Sequence, residues 1–551
     1  MPKRCREPWS SDLLSAKRTR KDGSVDHLSC LSDELLLHIL SLLPISSLNV
    51  CQRLSHRFHA LSGDSELWKR QYYSQWVRPQ AHRLANLRRT TLSAKTEYSP
   101  KVSTWLGHGH LAEAKVTNWK RQYRLRHNWS KGLCRMTQVE FPKPQCPELV
   151  KLCAGLVLTA DNTYGLRAWT AKDPAACVAK VAFSAESRLS GVAPTALAVS
   201  QVLHELEIVV GFDNGCISLY TLDLRTSQLS LRTSYVGSSD GAITAIALSS
   251  PYLLMVSQYK ILSLYNLRPG SQRAGKAGAA KEPRQIASLR ADNIVAPVNL
   301  SLRVSPFEII ATIVYSFFHI GCGWSLGIQE LRLDKDGQQL GSRLATTVDS
   351  QYGTRIIPDP SPEGKRRSAE TQNRQNLDNP GVPSILHQHP PTSMAYSHPY
   401  LLTSHADNTL TMYLVVSTSG HLFVRGGQRL WGHTSSVSAV QVTNRGKAVS
   451  VSSRGDEIRI WELEMAISSL GTRKPLKEEN SIQVSPGNQP HTALGLDDMS
   501  ESICSPNRPD PIPATPPELS RMHSCVGFDD ERVLLLREKI GTQLLECYDF
   551  T

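Results

Sequence analysis

The stretch Ala448-Val-Ser-Val-Ser-Ser-Arg-Gly-Asp-Glu-Ile-Arg-Ile-Trp461 reads as a strand, a tight polar turn and a second strand ending in an aromatic residue. The rhythm recurs at Gly165–Trp169, Gly215–Tyr220, Ile261–Tyr265, Thr409–Tyr413 and Leu544–Tyr548. Asp161-Asn162, Asp213-Asn214-Gly215 and Asp407-Asn408 supply polar turns before three of these segments. Apolar and β-branched runs joined by such turns are hairpins. Trp169 to Tyr220 is 51 residues and Tyr220 to Tyr265 is 45. Self-similarity at that period predicts the blades of a β-propeller. Glu308–Tyr315 and Leu326–Leu331 supply a further pair of strands between Tyr265 and Tyr413, which makes seven blades.

Upstream of residue 131 the periodicity is helical instead. Leu31, Leu35, Ile39 and Leu42/Leu43 recur at helical spacing, behind Ser32 as a cap and Asp33-Glu34 in the first turn. Pro44 stops that helix. Ser46 or Ser47 is placed to cap a second one carrying Leu48, Cys51, Leu54, Phe58 and Leu61, and Leu67-Trp68 closes the segment. So small a unit holds more apolar side chains than it can bury, and the surplus calls for a partner.

The division expected is a basic disordered tail at 1–28, a helical module at 29–75, a helical linker at 76–130 and a β-propeller at 131–551. Three insertions interrupt the propeller, at 268–284, 351–391 and 464–523. They are Gly/Ala/Lys-rich or Pro/Ser/Asn/Gln-rich and read as disordered loops. Ser485-Pro486, Ser505-Pro506 and Thr515-Pro516 in the last are candidate proline-directed phosphorylation sites.

Composition excludes several functions. The chain has 551 residues and a net charge of +13. Residues 1–135 hold 24 Lys/Arg against 10 Asp/Glu, leaving 38 against 39 for the rest, so the propeller is neutral and a cationic nucleic-acid face is not indicated there. Trp105, Trp119 and Trp129 among Lys120-Arg121, Arg124 and Arg126 read as packed aromatics with solvated charges rather than an RNA platform. No membrane span and no secretory leader is evident, so the protein is expected in the cytoplasm, the nucleus or both. Lys3-Arg4 and Lys17–Lys21 are clusters of the nuclear-import type. The twelve cysteines show neither disulfide nor zinc spacing, so no metal and no cofactor is expected.

Catalytic motifs fail on context. Gly237-Ser-Ser-Asp-Gly241 has the G-x-S-x-G pattern but no following helix. Gly270–Lys276 approaches a phosphate loop, but Ala277 stands where a Ser or Thr would ligate magnesium. The protein is not expected to be an enzyme.

The stretch Leu31-Ser-Asp-Glu-Leu-Leu-Leu-His-Ile-Leu-Ser-Leu-Leu-Pro44-Ile45-Ser-Ser-Leu48, continued by Leu54, Phe58 and Leu67-Trp68, resembles the F-box. Ser32 stands where that pattern often has Pro, and Phe58 where it often has Trp. Trp431-Gly432-His433 followed by Val437–Val442 and Ala448–Trp461 resembles a WD repeat. Trp119–Gly132 looks like the helical connector of F-box/WD-repeat proteins. The resemblance implies a substrate receptor of an SCF-type (cullin-RING) E3 ubiquitin ligase. Its F-box would bind an SKP-family adaptor, and through it cullin, while its propeller would bind a target protein, phosphorylated or not. The implied adaptor contacts are Leu31, Leu35, Ile39, Leu43, Pro44, Ile45, Leu48, Leu54 and Phe58. The implied hydrogen-bonded blade network is His433, Ser453, Asp456 and Trp461, and Arg454 in the same turn is a candidate target contact. The alternative is a scaffold outside a ligase, using the propeller for protein–protein assembly.

Overall fold

The computed structural model describes residues 27–28, 30–79, 117–142, 149–171, 177–183, 191–235, 241–268, 283–290, 294–335, 337–351, 385–418, 420–454, 457–464, 481–486, 526–539 and 542–551. They divide into a helical unit (27–78 and 117–123) and a β unit (124–551).

In the helical unit α1 (Asp33–Ser41), α2 (Ile45–Cys51), α3 (His56–Ser62) and α4 (Ser65–Tyr72) follow one another closely, and a π-helical turn, Tyr73–Val77, extends α4. The second helix expected from sequence is thus two. Ser55 ends the irregular 52–55 segment and accepts the Phe58 N–H, starting α3 afresh. Pro44, rather than Ser46 or Ser47, is the residue before α2, and Ser32 precedes α1 without a side-chain cap bond. Asp64 caps α4 by accepting from the Glu66 and Leu67 N–H groups. Leu36, Leu40, Leu48, Leu67, Trp68 and Tyr72 form the interior.

Helix α5 (Trp119–Lys131) contributes its first turn to this unit. Tyr123 packs edge-on against Trp68 at 5.4 Å and lies tilted against Trp76 at 4.7 Å, and Trp119 lies 5.7 Å from Tyr72. Lys120 donates to Gln52 Oε1 at 2.7 Å. Trp68, Tyr72, Trp119 and Tyr123 are buried and Trp76 half-buried; Trp119 and Trp129 are interior side chains, as the sequence suggested, and Trp105 lies outside the described residues.

The β unit is a seven-bladed propeller. Blades 1 to 3 are β2–β5 (Leu149–Cys153, Leu156–Asp161, Gly165–Thr170, Cys177–Val181), β6–β9 (Pro194–Val202, Glu205–Phe212, Ile217–Asp223, Leu229–Tyr235) and β10–β13 (Ile243–Ser249, Tyr252–Ser257, Ile261–Asn266, Arg284–Arg290). Blades 4 and 5 are β14–β17 (Val295–Val304, Ile309–His319, Gly323–Leu333, Gln339–Thr346) and β18–β21 (Ser393–Ser397, Tyr400–Ser404, Leu410–Ser417, Leu422–Leu430), with helix α6 (Thr347–Gln351) between them. Blade 6 is β22–β25 (Val437–Val442, Lys447–Ser452, Ile458–Glu462, Ser481–Gln483). Blade 7 joins β27 (Val526–Phe528), β28 (Arg532–Lys539) and β29 (Thr542–Asp549) to β1 (Leu133–Pro142), with the two-residue β26 (Ser485–Pro486) beside β1. The innermost strands β2, β6, β10, β14, β18, β22 and β27 contact one another in that circular order and close the ring. Buried apolar layers fill the space between neighbouring blades, as with Leu158, Leu166, Ile208 and Tyr220 between blades 1 and 2.

The third insertion is narrower than the 464–523 expected from sequence: residues 481–486 form the outer strand of blade 6 and a strand beside β1. Residues 385–391 of the second are also placed, with Ile385 and His387 buried. Ser505, Thr515 and the 1–26 tail lie outside the described residues.

Two details show why the hairpins form. Asp161 Oδ1 accepts from the Thr163 and Tyr164 N–H groups, and Asn214 Oδ1 from Cys216 N–H, so Asx side chains supply the turn's bonds. Gly165 follows with φ +79°, and a Cβ there would fall 2.2 Å from Val181 O, so only glycine fits.

Candidate partner-binding surfaces

Helix α1 sorts its leucines by face. Leu36 and Leu40 point inward, while Leu35, Ile39 and Leu42, at i, i+4 and i+7, form an exposed apolar stripe. Pro44 is exposed, and Leu31, Leu43, Ile45 and Phe58 are half-buried. Leu54 is exposed, as is Val50, which the sequence pattern did not single out. Leu48 corrects the expectation. It is fully buried, the one buried residue of α2, and it belongs to the interior rather than to a contact surface. Arg57 holds the edge of this surface by donating to Asp33 Oδ1 at 2.6 Å and to Leu31 O at 2.7 Å.

In blade 6 His433 Nε2 lies 2.6 Å from Ser450 Oγ, and Trp461 Nε1 donates to the same oxygen at 2.8 Å. The hydroxyl of the network is therefore Ser450. Ser453 lies past the end of β23 and bonds Ser436 Oγ at 2.6 Å instead. Asp456 lies outside the described residues; the carboxylate facing His433 is Glu457, with Oε2 3.3 Å from Nδ1. Glu457 also accepts the Thr434 N–H at 2.9 Å and Arg459 Nε at 2.6 Å. Burial opposes its ionisation, but the Thr434 N–H, the Arg459 guanidinium and His433 together outweigh that and hold its carboxyl below the ordinary value.

Blade 1 repeats half of this network. Trp169 Nε1 donates to Thr159 Oγ1 at 3.1 Å and Arg167 pairs with Asp161 at 2.8 Å. The registers match, with Thr159 opposite Arg167 as Ser450 is opposite Arg459. The sequence signal was available in Arg167-Ala-Trp169 and Arg459-Ile-Trp461. Blade 5 departs from it: the buried rings of His387 and His405 stack at 3.7 Å, 3° from parallel.

Within an antiparallel blade the turn between second and third strands and the exit from the fourth strand lie at the same end. On that face stand Tyr164, Tyr259, Phe318, Ile320, Leu386, Trp431 and Arg454, all exposed. Ile320 tips the long β15–β16 hairpin and is 97% exposed, and Trp431 is 61% exposed. Arg454 is thus where the sequence placed it, in a turn open to solvent. Among the described residues no cluster of His, Cys, Asp and Glu could hold a metal ion, and no helix is long and apolar enough to cross a membrane.

A short helical module with an apolar outer stripe, joined in one chain to a seven-bladed propeller, defines an F-box protein with a WD-like propeller. An F-box-like family model matches residues 30–74, and the model described as the F-box protein pof12 beta-propeller matches residues 134–551. The chain belongs to the F-box protein pof12 beta-propeller family. The F-box protein pof12 of Schizosaccharomyces pombe is 23% identical over 453 residues, which cover 79% of this chain and 84% of that protein. The F-box protein dre-1 of Caenorhabditis elegans is 45% identical over 52 residues, 9% of this chain and 6% of that one. Among solved structures, that of U3-55K has a TM-score of 0.40 at 9% identity, covering 75% of this chain and 98% of that chain. The WD40 propeller domain of Doa1 has a TM-score of 0.35 at 11% identity, covering 75% and 95%.

Proposed function

We propose that this chain is the substrate-recognition subunit of an SCF-type ubiquitin ligase, non-catalytic itself, whose F-box docks on an SKP-family adaptor and whose propeller holds the target. The observation that carries the reading is the stripe Leu35, Ile39 and Leu42, three large apolar side chains kept in solvent while their neighbours Leu36 and Leu40 fill the core. Exposed apolar groups aligned on one helix are stabilised by a second protein. Ubiquitin transfer then needs only proximity: a target held on the propeller meets the conjugating enzyme at high effective concentration.

The target side of the reading rests on the face that carries Trp431, Ile320 and Arg454. Exposed aromatic and arginine side chains are the residue types that dominate interface energies, and Arg454 has the fork geometry suited to a carboxylate or phosphate. The test is to express the full chain and a chain lacking residues 29–75, and to measure which proteins co-precipitate and accumulate. The reading predicts proteins that bind both forms, through the propeller, and whose half-lives lengthen only with the deleted form. Bound proteins with unchanged half-lives would indicate a scaffold outside a ligase.

A further inference from the structure

Six of the seven blades are each built from one continuous run of chain. The seventh is not. Its outer strand β1 comes from before the first blade, and β27–β29 come from the end of the sequence. The two are joined by antiparallel pairing, from Arg135 opposite Asp549 to Pro142 opposite Thr542, with no direct chain connection between β1 and β29. In every other blade the outer strand follows the strand beside it along the chain, so this seam is where the ring can open without separating strands that are consecutive in sequence.

The residues just before β1 close over that seam. Trp129 is buried, and its indole stacks on Phe550, the residue after β29, with centroids 3.9 Å apart and planes 13° apart. Its Nε1 donates to Asp530 O at 2.9 Å, in the turn that leads into β28. Asn128 Nδ2 donates to Phe550 O at 2.8 Å, and Phe550 N–H donates to Glu531 O at 3.0 Å. Lys447 of blade 6 places Nζ 3.2 Å from the Trp129 ring centroid. A parallel ring and an Nζ that close cannot share one face, so Trp129 is held between Phe550 and Lys447. Arg126, one turn earlier, pairs with Glu462 of blade 6 at 3.0 Å, and Arg445 binds both oxygens of Asp530 at 2.9 and 3.0 Å. Gly132 then turns the chain into β1 with φ +68°, against Gln483 O.

We propose that Asn128 and Trp129, with Phe550 as their counterpart, form a clasp that keeps the propeller ring shut, so that the chain preceding the first strand is a working part of the propeller and controls opening at the β1–β29 seam. Blade 6 supplies the fixed side through Lys447 and Glu462. Losing the clasp frees β1 from β29 while leaving the hairpins of blades 2 to 5 intact.

Amide hydrogen exchange on the full chain tests this, comparing wild type with Trp129→Ala and with the milder Asn128→Ala. The expected result is faster exchange by about tenfold or more in residues 135–142 and 542–549, with blades 2 to 5 unchanged. Equal acceleration in all seven blades would show that Trp129 merely adds to global stability and would overturn the proposal. So would unchanged exchange at the seam. If Trp129→Ala does not fold, the same readings are taken on Asn128→Ala, which removes one hydrogen bond and little packing.

Discussion

Leu35 and Leu36 are consecutive in α1 and face opposite ways: Leu36 is 2% exposed and Leu35 54%. The pair divides the helix between a core that folds the module and a surface that is left for something else. Substitutions on the two sides therefore have separable effects. Leu36→Ala and Leu48→Ala each leave a cavity in a small interior and should cost about 2–5 kcal/mol. Leu35→Ser and Leu42→Ser should leave the melting temperature of the module within error. Thermal denaturation followed by circular dichroism distinguishes the two groups.

Ser450 is the shared oxygen of blade 6, so Ser450→Ala strips both the His433 and the Trp461 nitrogens of a buried partner. An unsatisfied buried polar group costs about 1–3 kcal/mol, and a measurable drop in the denaturant midpoint is expected. Ser453→Ala removes one hydroxyl contact at the end of the strand and should shift the midpoint by less than Ser450→Ala.

The stacked imidazoles of blade 5 give the propeller an acid-sensitive element. Burial is the largest effect on both, with Arg429 adding to it for His387, and His387 and then Arg429 adding for His405; Asp407 opposes on both. His387 is lowered to about 4 and His405 to about 3. Both folded values lie below the unfolded value near ~6.5, so the unfolded chain takes up protons first. Their contribution is intact above that pH and is lost as pH falls below it, toward the folded values. The urea midpoint should decrease between pH 7 and pH 5, and His387→Gln/His405→Gln should flatten that decrease. An identical slope in the double variant would remove the pair from the account.

Trp431 and Arg454 take no part in the blade core, so Trp431→Ala/Arg454→Ala should fold as the wild type does. Co-precipitation of targets should fall, while adaptor binding stays unchanged. Retained capture of every target would move the binding surface elsewhere on the propeller.

Much of this was legible in the sequence because hairpin rhythm is a local property. A strand, an Asx or Gly turn and a terminal aromatic can be read within a dozen residues, as at Asp161–Trp169, and the blade count followed. The site residues were harder. Ser450 and Ser453 are both serines near one strand end, and only the register opposite Arg459 shows which hydroxyl lies under Trp461. Leu48 sits on the same nominal stripe as Leu54, but α2 ends at Cys51, so Leu54 falls in the irregular segment before Ser55 starts the next helix and is out of line with Leu48. Residues 481–486 are embedded in a Pro/Ser/Asn-rich run, and three residues of strand added to an existing sheet carry too little periodicity to be seen.

Calorimetric titration of purified SKP-family adaptor into the full chain measures whether the exposed stripe of α1 binds an adaptor. Wild type should bind one adaptor per chain. Leu35→Ser/Leu42→Ser should lose that heat while keeping the wild-type melting temperature. No binding by the wild type, or equal binding by the folded double variant, would contradict the account.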